Sequence, residues 1–173
     1  MTRFLLIGAA LLSFTGRTLA ADPAPANTET KPRATIMAVK VDTPPVIDGI
    51  MDDEVWNLAP KSSPFVQDDP VHGVPMTERT EFRVLYDDKA LYLGFWCFDS
   101  EPNKILARTM SRDDWPDADD FLIISIDPFL DRRNGYMFAV NPNGSRFDAI
   151  INNNAYAGSS WDTIWDCRGK VTN

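Results

Sequence analysis

The stretch that decides the fold is TEFRVLYDDKALYLGFWCFD, Thr80 to Asp99. Phe82, Val84 and Tyr86 alternate with Glu81, Arg83 and Leu85, the period of two that a half-buried strand requires. Asp87-Asp88-Lys89 then turns the chain. Beyond it Leu91, Leu93, Phe95 and Cys97 alternate with Tyr92, Gly94, Trp96 and Phe98. Two alternating runs around a short polar turn predict an antiparallel hairpin.

The same pattern continues outward. Phe121 to Ile126 (FLIISI) is an apolar run bounded by Asp120 and by Asp127-Pro128. At six residues it suits a strand covered on both faces better than a helix. Asn134-Gly135 marks a turn before Tyr136, Phe138 and Val140, and Asn141-Pro142-Asn143-Gly144 marks another before Arg146 to Ile151. Upstream, Ile36, Ala38 and Val41 predict a short first strand. Asp52 to Ala59, acidic at its start and stopped by Pro60, predicts one short helix. Several short strands with little helix predict an all-β fold, a β-sandwich. There is no internal repeat and no heptad pattern.

Composition narrows the function. The 173 residues carry 25 Asp+Glu against 17 Lys+Arg, a net charge of -8, which argues against phosphate backbones and anionic membrane surfaces as partners. With 44% hydrophobic and 11% aromatic residues the chain can bury a core, and its length suits one domain. Two Cys cannot build a zinc ribbon, and one His excludes any site that needs two imidazoles.

The N-terminus reads as an export signal. Met1-Thr2-Arg3 gives a positive start, Phe4 to Phe14 is apolar, and Thr18 to Ala21 ends in small residues that suit cleavage after Ala20 or Ala21. Eleven apolar residues fall short of a ~30 Å hydrocarbon core, so a membrane anchor is the poorer reading. Loss of residues 1–21 removes Arg3 and Arg17 and no acid, leaving 15 basic against 25 acidic side chains, a net of -10. Residues 22–34, with three Pro and no large apolar side chain, read as a linker, which leaves residues 35–173 for the domain. Export permits a Cys97–Cys167 disulfide; Cys97 equally suits a buried strand position as a small hydrophobe.

Enzyme motifs are mostly missing. The sequence has no Gly-rich phosphate loop, CxxC, HExxH or GxSxG, and His72 lies in the polar turn DDPVHGVP, where an exposed loop position is expected. Asp113, Asp114, Asp117, Asp119 and Asp120 crowd around Trp115. A glycosidase carboxylate pair is the weaker interpretation of that loop, because a run of acids is usually a solvated face. Calcium is a second candidate there and at Asp127 to Asn134, where Asp127 and Asp131 would be ligands. The competing interpretation is turn chemistry, in which Asp and Asn bond their own backbone. A third candidate is a sugar platform: the flat face of Trp115 would cover a pyranose while carboxylates accept its hydroxyls, unless Trp115 packs over a sheet edge instead.

Val46-Ile47-Asp48-Gly49 followed by Asp52-Asp53-Glu54-Val55-Trp56, then VLYDDKALYL (84–93), then DFLIISID (120–127), resemble family 9 carbohydrate-binding modules. GYMFAVNPNGSRFDAI (135–150) followed by WDTIWD (161–166) is similar to one subgroup, in which such a module opens a long bacterial exported protein ahead of a region of unknown function. The match runs from about Pro45 to the C-terminus, some three quarters of the chain. The resemblance implies a DOMON-like β-sandwich of immunoglobulin or jelly-roll type that grips the end of a glycan between two Trp side chains, often with structural calcium. Trp115 corresponds to the first of those Trp residues, and Asp120 and Asn141 fall at matching acidic and Asn positions. Two positions depart from the pattern: Ile123 stands where sugar-binding members have Glu, and Ala139 where they have Arg. The second Trp belongs to a later stretch than this chain contains. The family pattern therefore implies that the chain is partial, with Trp161 to Val171 a strand without its hairpin partner.

Two functions follow as expectations. One is a non-catalytic module that binds polysaccharide or oligosaccharide through Trp115, Asp120 and Asn141, on an exported protein linked to carbohydrate breakdown. The other is an accessory domain whose apolar Ile123 and Ala139 pack against a downstream domain. A haem-binding relative of the DOMON group comes third, with His72, Met110 and Met137 as the available axial ligands.

Overall fold

The computed structural model describes residues 35–156 and 160–172; the expected signal segment, residues 1–21, and linker, residues 22–34, lie outside the described residues. The described residues fold into a β-rich structure of two small sheets with almost no helix. The first sheet has the order β1-β2-β3, from Ala38–Lys40, Thr80–Tyr86 and Leu91–Cys97, with β1 parallel and β3 antiparallel to β2. The second has the order β4-β5-β6-β7, all antiparallel, from Leu122–Ile126, Gly135–Val140, Arg146–Asn152 and Ala155–Tyr156.

The hairpin forms as the alternation predicts. Its turn is closed by Asp87, whose carboxylate accepts the amides of Lys89 (2.7 Å) and Ala90 (2.8 Å) and the hydroxyl of Tyr92 (2.9 Å). Both faces of β2 are covered, because Leu85, on the strand's more polar side, is 0% exposed. It joins Val41, Trp56 and Ala59 in a buried cluster on one face of the sheet. Full burial of such a side chain stabilises by roughly 1.5–3 kcal/mol. The expected short helix is a 3-10 turn, Glu54–Leu58, that delivers Trp56 to this cluster. It lacks a side-chain cap, and its five residues, followed at once by Ala59 and Pro60, cannot extend into an α-helix. Gly94 is required below Trp56: a Cβ there would collide with the Met51 side chain and stand 2.8 Å from the Trp56 ring.

On the other face of the sheet Phe65, Phe82 and Phe95 stack in series, at 5.7 and 5.4 Å between centroids. Cys97 and Leu122 form the buried cluster that joins the two sheets, with Phe65, Phe95 and Val140 around it. Strand β4 lies at the edge of its sheet and has cover on each side, Leu122 in this cluster and Ile123 in another, while Ser125 is exposed. Partial cover on both faces explains its unbroken apolar run.

At the C-terminal end one expectation is corrected and one open alternative is decided. Residues 161–172 form no strand. Half-buried Trp161, Thr163, Trp165 and Cys167 alternate with exposed Asp162, Ile164 and Asp166, so the period of two is present without a ladder. The segment lies over the sheet instead of pairing with its edge. Trp161 stacks on Tyr136 at 4.9 Å, Trp165 meets Phe138 at 5.1 Å, and the Trp165 carbonyl accepts the Arg146 guanidinium. Secondly, no disulfide joins Cys97 and Cys167. Cys97 is a small hydrophobe of the inter-sheet cluster, and Cys167 donates to the Gly144 carbonyl at 3.5 Å, with its thiol pushed up to about 11 chiefly by burial.

Candidate functional site

The loop 106–120 passes over one face of the second sheet, and its acids fall into two groups. Asp113, Asp114 and Asp117 are exposed, whereas Asp119 is buried. The Asp119 carboxylate accepts the amides of Arg108 (2.7 Å) and Thr109 (2.8 Å) and the side-chain amide of Asn141 (2.8 Å). Burial opposes its ionisation, but those donors prevail and hold the carboxyl at about 2. Asn141 is 0% exposed and also donates to the Thr109 carbonyl (2.8 Å), while its oxygen accepts the amides of Asn143 (3.1 Å) and Ser145 (2.9 Å). Asn141 is thus the tie between the loop and the β5–β6 turn, and its side chain is consumed by that role. Asp120 is exposed, and its carboxylate accepts the Leu106 amide at 2.7 Å while its own amide donates to the Leu106 carbonyl at 2.9 Å.

These ties position Trp115. Its ring meets Phe121 edge-on at 5.4 Å and Phe147 of β6 at 5.1 Å, with interplanar angles of 68° and 81°. The next residue, Pro116, is buried, yet 40% of Trp115 remains exposed. Trp115 therefore packs over the sheet and presents surface at the same time. Below Phe147 lie Ala139 and Ala149, with Ile123 and Met137 against them. Ile123 and Ala139 are therefore part of the apolar floor under the Trp115 loop.

The hairpin loop between β4 and β5 is built by turn chemistry. Asp127 accepts the amides of Phe129 (3.0 Å) and Arg132 (2.7 Å). Asp131 accepts those of Arg133 (2.7 Å) and Asn134 (2.8 Å) and the Asn134 side chain (2.6 Å), bonds that hold its carboxyl below the usual range. Among the described residues no group of three or more His, Cys, Asp or Glu side chains is placed to hold a metal ion. His72 is exposed and bonded to Asp68 at 2.8 Å, Met110 is 77% exposed, and Met137 packs beside Ala139.

Sequence patterns missed a second polar centre, on the opposite face of the sheet. Asp148, 1% exposed, accepts the Trp165 indole N–H (3.1 Å), the Thr163 amide (2.9 Å) and the Arg112 guanidinium (3.3 Å). Arg112 also bonds Asp162 and the Thr163 carbonyl (3.2 Å), so one buried carboxylate fastens the Trp115 loop and the C-terminal segment together. An acid inside the apolar alternation of β6 was the available signal.

No family model matches the chain, and comparison with curated proteins and with solved structures yields no significant relative. No helix among the described residues is long and apolar enough to cross a membrane.

Proposed function

We propose that the chain is a non-catalytic carbohydrate-binding module, a DOMON-like β-sandwich carried on an exported protein, in which a sugar ring stacks on Trp115. The observation that carries this is the state of Trp115: T-shaped contacts with Phe121 and Phe147 fix its ring, 40% of it is exposed, and exposed Asp113, Asp114 and Asp117 flank it. A fixed aromatic ring beside exposed acceptors is what a pyranose needs, since its C–H face is apolar and its rim is a ring of donors. Asp114 and Asp117, rather than Asp120 and Asn141, are the hydroxyl partners in this proposal, because the latter two are engaged with backbone and with Asp119, and Asp113 is paired with Arg112 at 3.5 Å.

The test is titration of mono- and oligosaccharides while tryptophan fluorescence is followed, in the parent chain and in Trp115→Ala. A saturable change that Trp115→Ala abolishes supports the proposal. No change up to millimolar sugar, or an undiminished change in Trp115→Ala, overturns it.

A further inference from the structure

A second concavity, on the first sheet, has a different chemistry. It measures about 230 Å³ and is lined by Lys61, Arg79, Glu81, Arg83, Trp96 and Phe98, with Asn57 and Met51 at its side. Three cations and one carboxylate meet there, on a chain whose net charge is -8. Glu81 is shared by Lys61 (2.7 Å) and Arg79 (3.6 Å), so one carboxylate serves two of the three. Arg83 has no carboxylate partner among the described residues. Its guanidinium donates to the Trp56 carbonyl and to Asn57 Oδ1 (3.0 Å), and its buried Nε has no hydrogen-bond partner.

Aromatic faces hold the two guanidinium groups in place. Arg79 lies 3.7 Å from the centre of the Phe98 ring, and Arg83 lies 5.3 Å from that of Trp96. Stacking fixes a guanidinium plane without neutralising its charge. A half-buried cation with an orphaned donor is costly unless an acceptor arrives. The smallness of the cavity restricts that acceptor to a compact molecule, since sites for drug-sized ligands run to about 300–1,000 Å³.

We infer that this cleft binds a compact organic carboxylate, whose oxygens take the place of the missing counter-ion of Arg83, beside Arg79 and Lys61. It lies on the other sheet from Trp115, and the inference does not depend on the sugar proposal.

The matched probes are galacturonate and galactose, which differ by a carboxylate in place of a hydroxymethyl group. Titrated into the full chain and followed by ¹H–¹⁵N correlation spectra, galacturonate is expected to shift the Trp96 indole and Arg83 Nε–H signals saturably, and galactose is not. Added salt should weaken the effect. Arg83→Gln should lower affinity by roughly tenfold or more, through loss of a charge-assisted bond. Glu81→Gln should raise it, by freeing Lys61 and Arg79. Trp115→Ala should leave it unchanged, which separates this result from the fate of the sugar proposal. Equal responses to both probes, no response to either, or unaltered affinity in a natively dispersed Arg83→Gln spectrum would overturn the inference.

Discussion

Ile123 of β4 and Ala139 of β5 are direct cross-strand partners, and both side chains belong to the apolar cluster that Phe147 and Ala149 complete. The two positions therefore form a facing pair of hydrophobes within one cluster. Ala139 is 1% exposed, so the site offers a guanidinium neither space nor water. Ala139→Arg is expected to destabilise by about 3 kcal/mol or more. Ile123→Glu, at a half-buried edge position, should cost about 1–2 kcal/mol. Urea unfolding of the two variants checks the order, and a smaller cost at Ala139 would mean that the cluster is not closed.

Trp115 and Phe147 touch but differ in burial, 40% against 4% exposed. Truncation to alanine should therefore separate binding from stability. Phe147→Ala is expected to cost about 3–5 kcal/mol through cavity formation. Trp115→Ala should cost only about 1–2 kcal/mol, because much of its ring never left water. Chemical denaturation alongside the sugar titration measures both; a Trp115→Ala chain that fails to fold would assign the ring to the core.

Arg112 is the cation that faces buried Asp148. Arg112→Ala leaves that carboxylate with the Thr163 amide and the Trp165 indole but no counter-charge. The expected loss is about 3 kcal/mol. Near-ultraviolet circular dichroism should show Trp161 and Trp165 losing their fixed environment, since the same network secures the C-terminal segment. An unchanged spectrum would show that the aromatic stack alone holds it.

Asp119 sets an acid limit. Its carboxyl is held at about 2, below the ordinary 3.8, so the folded state binds this proton more weakly than the unfolded chain does. The stabilisation is complete above the unfolded value and is lost as pH falls from about 4 towards 2. Asp119→Asn should lower the melting temperature at neutral pH and flatten its decline across that acid window. If both chains decline in parallel, Asp119 is not the titrating group.

Calcium makes a separate test of the β4–β5 hairpin. The carboxylates of Asp127 and Asp131 already accept backbone amides, which argues for equal melting temperatures in calcium and in chelator. A calcium-dependent rise that Asp131→Ala removes would establish a metal site there. In the same loop Leu130 is 87% exposed at a φ of 55°, in the left-handed region. Leu130→Asn should stabilise by up to about 1 kcal/mol, because Asn tolerates that conformation better.

Alternation was a reliable guide wherever a strand had neighbours on both sides in its sheet or a core beneath it. Hairpin β2–β3 and strands β4, β5 and β6 all lie where their patterns predict. The same signal misled at Trp161 to Cys167, since a period of two records which side chains face inward and says nothing of where the backbone bonds go. Trp115 was legible as an outlier, an aromatic among charges. The roles of Asp120 and Asn141 were not, because an Asp or Asn in a loop reads alike whether it awaits a ligand or binds its own main chain.

The sequence by itself determined the strand-rich class, the hairpin and the turns, because these follow from local periodicity and side-chain chemistry. The tertiary structure alone decided which polar groups remain available. Asn141 and Asp119, 22 residues apart, satisfy each other, as do Arg112 and Asp148, 36 apart, while Arg83 has no counter-ion among the described residues. Whether a polar group is spent or free depends on partners distant in the chain, and only folding brings them within hydrogen-bonding distance.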